Sequence, residues 1–367
     1  MKIGGDFEYN DYKKKIDISL KDYISKKFLS YQLFFSGRAA IYSLIKSIID
    51  KEKIDNIYIP SYICESIYLP IYRAIMTSKI KLFFYKQNLD LSSPGIEIQE
   101  NSIVYIVDYF GKIDLPLLRY LNSYKIKFSK VFIIRDITHS LFNKNFFLEP
   151  DYYICSLRKW LFLPDGAFVS SNTNKIKFPL IKANDDIVQA RISAAILKRL
   201  SQKFCGAPFE DKIYLNIWKF CESKFYDYLY NVSISDFSNK LLENADYQQI
   251  ENRRKANGKY LLDRLHDFEE FSVIPNDTFI FNISVLFNSM KIRDIFRRNM
   301  MNEFNIYLPI HWPMEWQDSI EYIDKDSLKQ NKIISNKILS FVIDQRYGKK
   351  EMDYILSSCK KALGKLR

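Results

Sequence analysis

Short apolar, β-prone runs recur along the first half of the chain, and segments of helical length or character separate most of them. Hydrophobic positions within each run are continuous rather than alternating, which is typical of strands covered on both faces. The pattern therefore predicts an α/β fold with an open, mainly parallel central sheet. The five runs are Asn56 to Pro60, Lys79 to Tyr85, Ser102 to Asp108, Lys130 to Asp136 and Tyr152 to Ser156.

Helical periodicity is clearest after residue 36 and again in the second half of the chain. Apolar residues at helical spacing predict a helix that begins close to Ser36. A longer helical stretch, from Ile187 to Tyr230, is expected to lead into a second domain. Beyond it the pattern predicts a strand at Phe279 to Leu286, a helix at Met290 to Phe304, a strand at Asn305 to Ile310, and helices at Leu328 to Leu339 and Lys349 to Leu363.

The length of 367 residues exceeds what one hydrophobic core usually holds, so we expect two domains. We assign residues 1–30 to an N-terminal segment, 31–235 to a large α/β domain and 236–367 to a small α+β domain. The five cysteines are scattered, without a C-x-x-C pair, and indicate neither a disulfide framework nor a metal site. The chain starts without a signal peptide and has no apolar stretch of membrane-spanning length, so a cytoplasmic protein is expected.

A net charge of +12 raises the question of nucleic-acid binding. The basic residues are, however, spread among 43 acidic ones, and the densest clusters, Lys13 to Lys15 and Lys349 to Lys350, have the character of solvated surface. A basic surface equally suits an anionic nucleotide-sugar or a phosphorylated substrate. Nucleic-acid binding is therefore kept only as an alternative.

Two short segments, twenty-three residues apart, carry the strongest candidate chemistry. The first ends an apolar run on Asp136 and continues to His139, and the second places Ser156 three residues before Lys159. Pyridoxal phosphate needs a carboxylate to keep its ring nitrogen protonated and a lysine amine to hold its aldehyde, and Asp136 and Lys159 offer both. The alternatives are that Asp136 forms a cap or turn and that Lys159 is an ordinary surface lysine.

The segment around Ser36 is the candidate phosphate site. An apolar run passes there through Ser36 and Gly37 into the predicted helix. A helix N-terminus offers free N–H groups and a positive dipole end, and a glycine lets a phosphate approach the main chain closely. An ordinary serine N-cap with nothing bound is the alternative.

In the order of these segments the chain resembles the sugar aminotransferases of the DegT/DnrJ/EryC1/StrS family, which are pyridoxal-phosphate enzymes of fold type I. The resemblance covers roughly residues 30 to 365 and implies a large cofactor-binding domain followed by a small one. Its landmarks are Ser36-Gly37-Arg38, Ile59-Pro60-Ser61-Tyr62, Val107-Asp108-Tyr109-Phe110-Gly111, Asp136 to His139, Ser156 to Lys159 with Pro164-Asp165-Gly166, Leu308-Pro309-Ile310-His311-Trp312-Pro313 and Ile343-Asp344-Gln345-Arg346-Tyr347.

Carried over by position, the resemblance implies that Lys159 is the catalytic lysine that binds the cofactor's aldehyde. It also implies that Asp136 pairs with the pyridine nitrogen and that His139 lies beside the ring. The residues that fall at the family's phosphate site are Ser36, Gly37, Arg38 and Ser156.

Some positions depart from the family pattern and indicate a divergent branch. The position that usually carries a ring-stacking aromatic residue is Cys64, which leaves Tyr62 or Tyr109 as alternative stacking residues. His311 has two interpretations, a substrate contact from the small domain or a structural histidine beside Trp312. The motif at 344–347 is expected to form a structural turn with a local ion pair.

The resemblance implies transfer of an amino group from an amino acid, typically glutamate, to a keto-sugar that is usually nucleotide-linked. Such reactions belong to surface-polysaccharide or secondary-metabolite biosynthesis, and fold-type I enzymes usually act as homodimers. Three alternatives remain. They are another pyridoxal-phosphate reaction on a sugar, such as 3-dehydration, in whose branch a histidine replaces the lysine; a non-catalytic binding relative; and an unrelated basic α/β protein that binds nucleic acid.

Overall fold

The computed structural model describes residues 2–9, 16–128, 130–143, 149–203, 210–225, 227, 231–276, 278 and 280–365. The lysine cluster at 13–15, Cys205, and the residues Tyr230 and Phe279 that bound two predicted elements lie outside these ranges. Within the described ranges, no helix has both the length and the apolar character needed to cross a bilayer.

The regular elements of the described chain are numbered here in chain order. The strands are β1 (Ile3–Gly4), β2 (Ser30–Phe34), β3 (Asn56–Pro60), β4 (Lys81–Tyr85), β5 (Ser102–Val107), β6 (Val131–Asp136), β7 (Tyr152–Ser156), β8 (Ala167–Ser171), β9 (Phe271–Val273), β10 (Asn282–Phe287), β11 (Ile306–Tyr307) and β12 (Ile338–Val342). The α-helices are α1 (Leu20–Lys27), α2 (Gly37–Ile49), α3 (Glu65–Ile75), α4 (Leu115–Lys127), α5 (Asp185–Lys203), α6 (Glu210–Lys224), α7 (Asp236–Glu243), α8 (Tyr247–Leu265), α9 (Met290–Phe304), α10 (Lys325–Lys337) and α11 (Lys349–Gly364). Short 3-10 helices occur at Tyr109–Gly111, Leu157–Lys159, Met314–Trp316 and Asp318–Tyr322.

Seven strands form the large central sheet, in the order β2-β8-β7-β6-β5-β3-β4. Strands β3 to β7 pair in parallel, whereas β8 runs antiparallel to both of its neighbours. Every residue of β3 and β5 is buried, because α2 and α3 cover one face of the sheet and α4 covers the other. The five strands predicted from the apolar runs are confirmed as β3 to β7, with ends that agree within two residues.

A buried ion pair joins two neighbouring strands at their carboxyl ends. The Arg135 guanidinium, at the end of β6, donates from Nε and Nη2 to the Asp108 carboxylate at 2.9 Å each. Their side chains are 0% and 1% exposed, and the Ser140 hydroxyl donates to the same carboxylate. The ends of β5 and β6 are therefore fixed to each other and to the turn that follows β6.

The C-terminal part of the chain is an α+β unit with its own core, as predicted. Strands β12, β10 and β9 form an antiparallel sheet in that order, and α8, α9 and α11 pack on it. Leu261, Phe296, Phe341 and Cys359 belong to this core and are fully buried. Ile3 joins it as well, because β1 pairs in parallel with β11.

Two predicted elements of this unit are wrong in extent. The strand predicted over 305–310 comprises only Ile306–Tyr307, because its partner β1 has just two residues to pair with. The helix predicted over 328–339 is observed as α10, which ends at Lys337. The last two residues of the prediction, Ile338 and Leu339, start β12 instead. Their backbone groups bond to β10, a long-range pairing that outweighs the local helical spacing.

The helical stretch predicted over 187–230 contains two helices, α5 and α6, which pack against each other. Phe35, which precedes Ser36 in the chain, packs in one cluster with Val188 of α5 and with Phe225, just after α6. This cluster anchors the helix pair beside the N-terminus of α2.

Candidate active site

A cavity of about 310 Å³ lies at the carboxyl ends of β6 and β7. The start of α2, the α5–α6 pair and the segment around His311 complete its wall. Ligands of open α/β sheets bind at this edge of the sheet. Nine of the eleven residues predicted from the sequence line the cavity, namely Ser36, Gly37, Arg38, Cys64, Asp136, His139, Ser156, Lys159 and His311.

The start of α2 lines the cavity. Ser36 is the N-cap, and its hydroxyl accepts a hydrogen bond from the Ala39 N–H at 3.1 Å. The first helical bond runs from the Ala40 N–H to the Ser36 carbonyl, so the N–H groups of Gly37 and Arg38 precede the helical ladder. A Cβ added to Gly37 would lie 3.5 Å from the Ser156 Cβ, so a side chain there would narrow the gap between the helix and Ser156.

Asp136 ends β6 at the cavity and is 5% exposed. Its carboxylate accepts hydrogen bonds from the Tyr105 hydroxyl at 2.7 Å and from the Thr138 N–H at 2.9 Å. None of the ion pairs among the described residues includes it, and burial raises the pKa of Asp136 despite these hydrogen bonds. A carboxylate held in this way is poised to receive a cationic partner from a ligand.

Lys159 ends the 3-10 turn that follows β7, so its position is fixed by the last strand of the parallel set. Its side chain is exposed in the cavity. Nothing in the described part of the chain bonds or pairs with its amine. The Nζ atom is therefore available to a ligand.

His139 stacks between aromatic rings at the cavity wall. Its ring lies 4.1 Å from that of Phe281 and 5.4 Å from that of Phe110, at interplanar angles of 20° and 10°. The Phe110 N–H donates to Nδ1 at 3.3 Å, which assigns the proton of the neutral ring to Nε2. Burial, followed by the charges of His311 and Lys159, lowers the pKa of His139 well below its ordinary value.

His311 lies near His139, with ring centroids 6.3 Å apart, and belongs to the C-terminal part of the chain. Its Nδ1 is 2.9 Å from the Ser340 hydroxyl, and its ring lies edge-on to Trp312. Burial and the Lys159 charge lower the pKa of His311 to about 3. His311 therefore packs beside Trp312, as its interpretation as a structural histidine expects. It also lines the cavity, as its interpretation as a substrate contact expects.

Tyr62 and Tyr109, the alternative stacking residues, do not line the cavity. Both rings are buried behind its wall, where the Tyr109 hydroxyl donates to the Tyr62 carbonyl and the Tyr62 hydroxyl donates to the His311 carbonyl. The Trp312 N–H donates back to the Tyr62 hydroxyl at 2.9 Å. The two tyrosines thus tie the end of β3 to the small-domain segment, while Cys64 reaches the cavity itself.

An arginine cluster, of which the sequence predicted only Arg38 as a site residue, lines the cavity beside the start of α2. Arg158 and Arg191 both donate to Glu222, the latter at 2.7 Å, and Arg38 approaches the same carboxylate at 3.7 Å. The Arg158 and Arg191 guanidinium groups also lie over the ring of Phe225, at 4.2 and 5.2 Å from its centroid. Arg158 adjoins Lys159 in sequence, but nothing in the sequence signals that Arg191 and Glu222 meet it.

The arginine cluster gathers three largely buried guanidinium groups around Glu222, whose side chain is 43% exposed. Burial raises the pKa of Glu222, but the charges of the three arginines outweigh it and hold that pKa far below its ordinary value. Burial and the Arg158 charge lower the pKa of Arg191 to about 10. The Nε atoms of Arg158 and Arg191 are buried without a hydrogen-bond acceptor in the described chain. Asp6, which also lines the cavity, is a second carboxylate whose charge raises the pKa of Arg191.

No family model matches the chain, and no curated protein sequence matches it. Solved structures do match its fold. Spr1654 from Streptococcus pneumoniae, in its pyridoxal-phosphate form, has a TM-score of 0.64 at 11% identity, with 99% of this chain and 94% of that chain covered. The sugar aminotransferase CalS13 from Micromonospora echinospora has a TM-score of 0.60 at 10% identity, with 97% and 93% covered. PseC from Helicobacter pylori, an aminotransferase involved in the biosynthesis of pseudoaminic acid, has a TM-score of 0.61 at 10% identity, with 98% and 93% covered.

This chain shares the fold of these three structures. The predicted fold class is confirmed, with a mainly parallel central sheet and a small α+β unit. At identities near 10% the likeness concerns the fold, and the chemistry depends on the residues of the cavity. Among the described residues of this aminotransferase fold, no cluster of His, Cys, Asp or Glu side chains has the arrangement of a metal site.

We predict that His139 and His311 stay neutral from pH 8 down to pH 5, because the pKa of each is lowered and the uncharged form persists above it. NMR titration of imidazole-labelled protein measures this, with His139→Gln and His311→Gln variants to assign the signals. A titration midpoint near 6.5 for either ring, the value of an unperturbed histidine, would contradict the burial described here.

Proposed function

We propose that this protein is a pyridoxal-phosphate-dependent aminotransferase. The observation that carries the proposal is the convergence of three distant segments on one cavity: the start of α2, Asp136 at the end of β6, and Lys159 after β7. These are the groups that a phosphorylated pyridine aldehyde requires. The aminotransferase fold of the chain supports the same conclusion.

The environment of Asp136 fits the ring of the cofactor. A buried carboxylate without a cationic side-chain partner is costly, and a protonated ring nitrogen would supply that partner. Thr138 and Tyr105 hold the carboxylate from the protein side. We therefore assign Asp136 to the pyridine nitrogen and Lys159 to the aldehyde.

The start of α2 and the arginine cluster fit the phosphate. A phosphate monoester carries close to two negative charges, and the arginine cluster offers it buried Nε donors on Arg158 and Arg191 that have no acceptor in the described chain. The N-terminus of α2, with the small residue Gly37 facing Ser156, adds main-chain donors. We assign the phosphate to Ser36, Gly37, Arg38 and Ser156, with Arg158 and Arg191 contributing charge.

The chain's own residues would carry the proton transfers and hold the reactants. When bound, the cofactor supplies an electron-accepting ring. Lys159 Nζ, free of protein partners in the described chain, is the base suited to take the proton from the α-carbon of an amino donor and, in the second half of the reaction, to deliver a proton to the acceptor carbon that gains the amine. Neutral His139 and His311 flank this lysine without adding a competing charge.

For the substrates we propose an amino-acid donor, glutamate by family resemblance, and a keto-sugar acceptor that is nucleotide-linked. The named functions of CalS13 and PseC, a sugar aminotransferase and an aminotransferase of pseudoaminic acid biosynthesis, support an acceptor of the sugar class. A role in surface-polysaccharide or secondary-metabolite synthesis and a homodimeric state complete the proposal. Lys159 itself argues against the sugar 3-dehydration alternative, whose branch lacks the lysine.

The first test concerns the lysine. Protein incubated with pyridoxal phosphate should become yellow, and borohydride should fix the cofactor to the peptide that contains Lys159, as detected by mass spectrometry. Lys159→Ala should abolish this label. Lys175→Ala, which changes an exposed lysine after β8, should leave it intact. Covalent labelling of another lysine, or none in the wild-type protein, would refute the assignment.

The second test concerns the phosphate. Arg191→Gln should lower the affinity for pyridoxal phosphate by about tenfold or more, since a hydrogen bond to a charged group is lost from a buried site. It should leave the affinity for pyridoxal, which lacks the phosphate, nearly unchanged. Fluorescence titration of both compounds gives the ratio of affinities. Lys219→Gln, an equal change of charge on the exposed side of α6, is the matched control.

An equal loss of affinity for both compounds in Arg191→Gln would mean that the substitution damages the cavity in general. That result would contradict the phosphate assignment. An Arg191→Gln variant that keeps the wild-type affinity for both compounds would contradict it as well.

A further inference from the structure

Thr138 lines the cavity between two residues that the sequence singled out, Asp136 and His139. All three of its polar groups bond to other parts of the candidate site. Its N–H donates to the Asp136 carboxylate at 2.9 Å, and its carbonyl accepts from the Trp160 indole N–H at 2.8 Å. Its hydroxyl accepts from the Ser156 N–H at 3.0 Å. Thr138 therefore joins the ends of β6 and β7 at the cavity.

The Thr138 hydroxyl has a second bond, in which it donates to the Asp136 carboxylate. Burial raises the pKa of Asp136, and the bond from this hydroxyl is the largest of the effects that lower it. The same oxygen accepts from the Ser156 N–H. One atom thus links the carboxylate assigned to the ring nitrogen with a residue assigned to the phosphate.

The bond to Trp160 extends this link to the lysine. Trp160 follows Lys159 directly in the chain and is fully buried, with its ring edge-on to that of Phe281 at 5.5 Å. Its indole N–H therefore holds the turn that ends at Lys159 against the segment after β6. The contacts assigned to the ring nitrogen, the aldehyde and the phosphate all adjoin Thr138.

We propose that Thr138 is a positioning residue that couples two contacts of the cofactor, the ring nitrogen at Asp136 and the phosphate at Ser156. A rigid ring makes both contacts at full strength only when the two protein groups stay at one separation. The Thr138 hydroxyl holds them at that separation, because a shift of either group would break a hydrogen bond to the shared oxygen. The inference deepens the proposed function and rests on it.

The test measures the affinity of the full-length protein, freed of cofactor, for four ligands by fluorescence titration. They are pyridoxal phosphate, pyridoxal, and the analogue of each in which a carbon replaces the ring nitrogen. In the wild-type protein, loss of the phosphate should weaken the two nitrogen-containing ligands about tenfold more than it weakens the two carbon analogues. The ratio of these two losses is the coupling factor.

Thr138→Val removes the hydroxyl and keeps the side-chain shape and both backbone bonds. It should weaken the binding of pyridoxal phosphate about tenfold, since the Ser156 N–H and the Asp136 carboxylate each lose a partner, and it should abolish the coupling. Thr138→Ser, which restores a hydroxyl, should return the coupling to the wild-type value. Thr77→Val, the same change at an exposed position after α3, is the matched control and should keep it.

A Thr138→Val variant in which all four affinities fall equally would show that the residue only supports the cavity wall, and would overturn the proposal. Wild-type protein that binds pyridoxal phosphate without any coupling would overturn it too, but would leave the cofactor assignment standing. Wild-type protein that binds none of the four ligands would contradict the proposed function itself, and the role of Thr138 would fail with it.

Discussion

The buried ion pair between Arg135 and Asp108 is the constraint on which the candidate site depends. Both side chains are excluded from solvent, and removal of either would leave an unpaired charge in the core at a cost of about 3–5 kcal/mol. Because Arg135 precedes Asp136 directly, the pair fixes the carboxyl end of β6 against that of β5. The Ser140 hydroxyl bonds to the same carboxylate, so the turn that carries His139 is held by the same interaction.

Two charge imbalances of opposite sign occur in the wall of the cavity built on this edge. Asp136 is a buried carboxylate without a cationic side chain, and the arginine cluster around Glu222 has more positive than negative charge. Each imbalance costs free energy while it stays uncompensated in a site of low dielectric constant. A ligand with a cationic ring nitrogen at one end and a phosphate at the other relieves both. The charge pattern therefore favours a ligand that carries a cation and an anion at separate positions.

The sequence predicted those parts of the molecule that local pattern controls. The apolar runs of β3 to β7 and the periodicity of α9 and α11 are strong signals, and Asp136 and Lys159 follow strands whose ends must meet at one edge. Arg191 and Glu222 were missed, because their meeting depends on how α5 packs on α6 beside Phe35. The first residues of β12 have helical spacing in the sequence. Their strand conformation depends on pairing with the distant strand β10, which local pattern does not show.

A crystal structure of the protein grown with pyridoxal phosphate tests the central claim most directly. We predict electron density continuous from Lys159 Nζ to the cofactor, with the ring nitrogen within about 3 Å of the Asp136 carboxylate and the phosphate at the start of α2. Density for the cofactor at another place, or a ring whose nitrogen faces away from Asp136, would contradict the account.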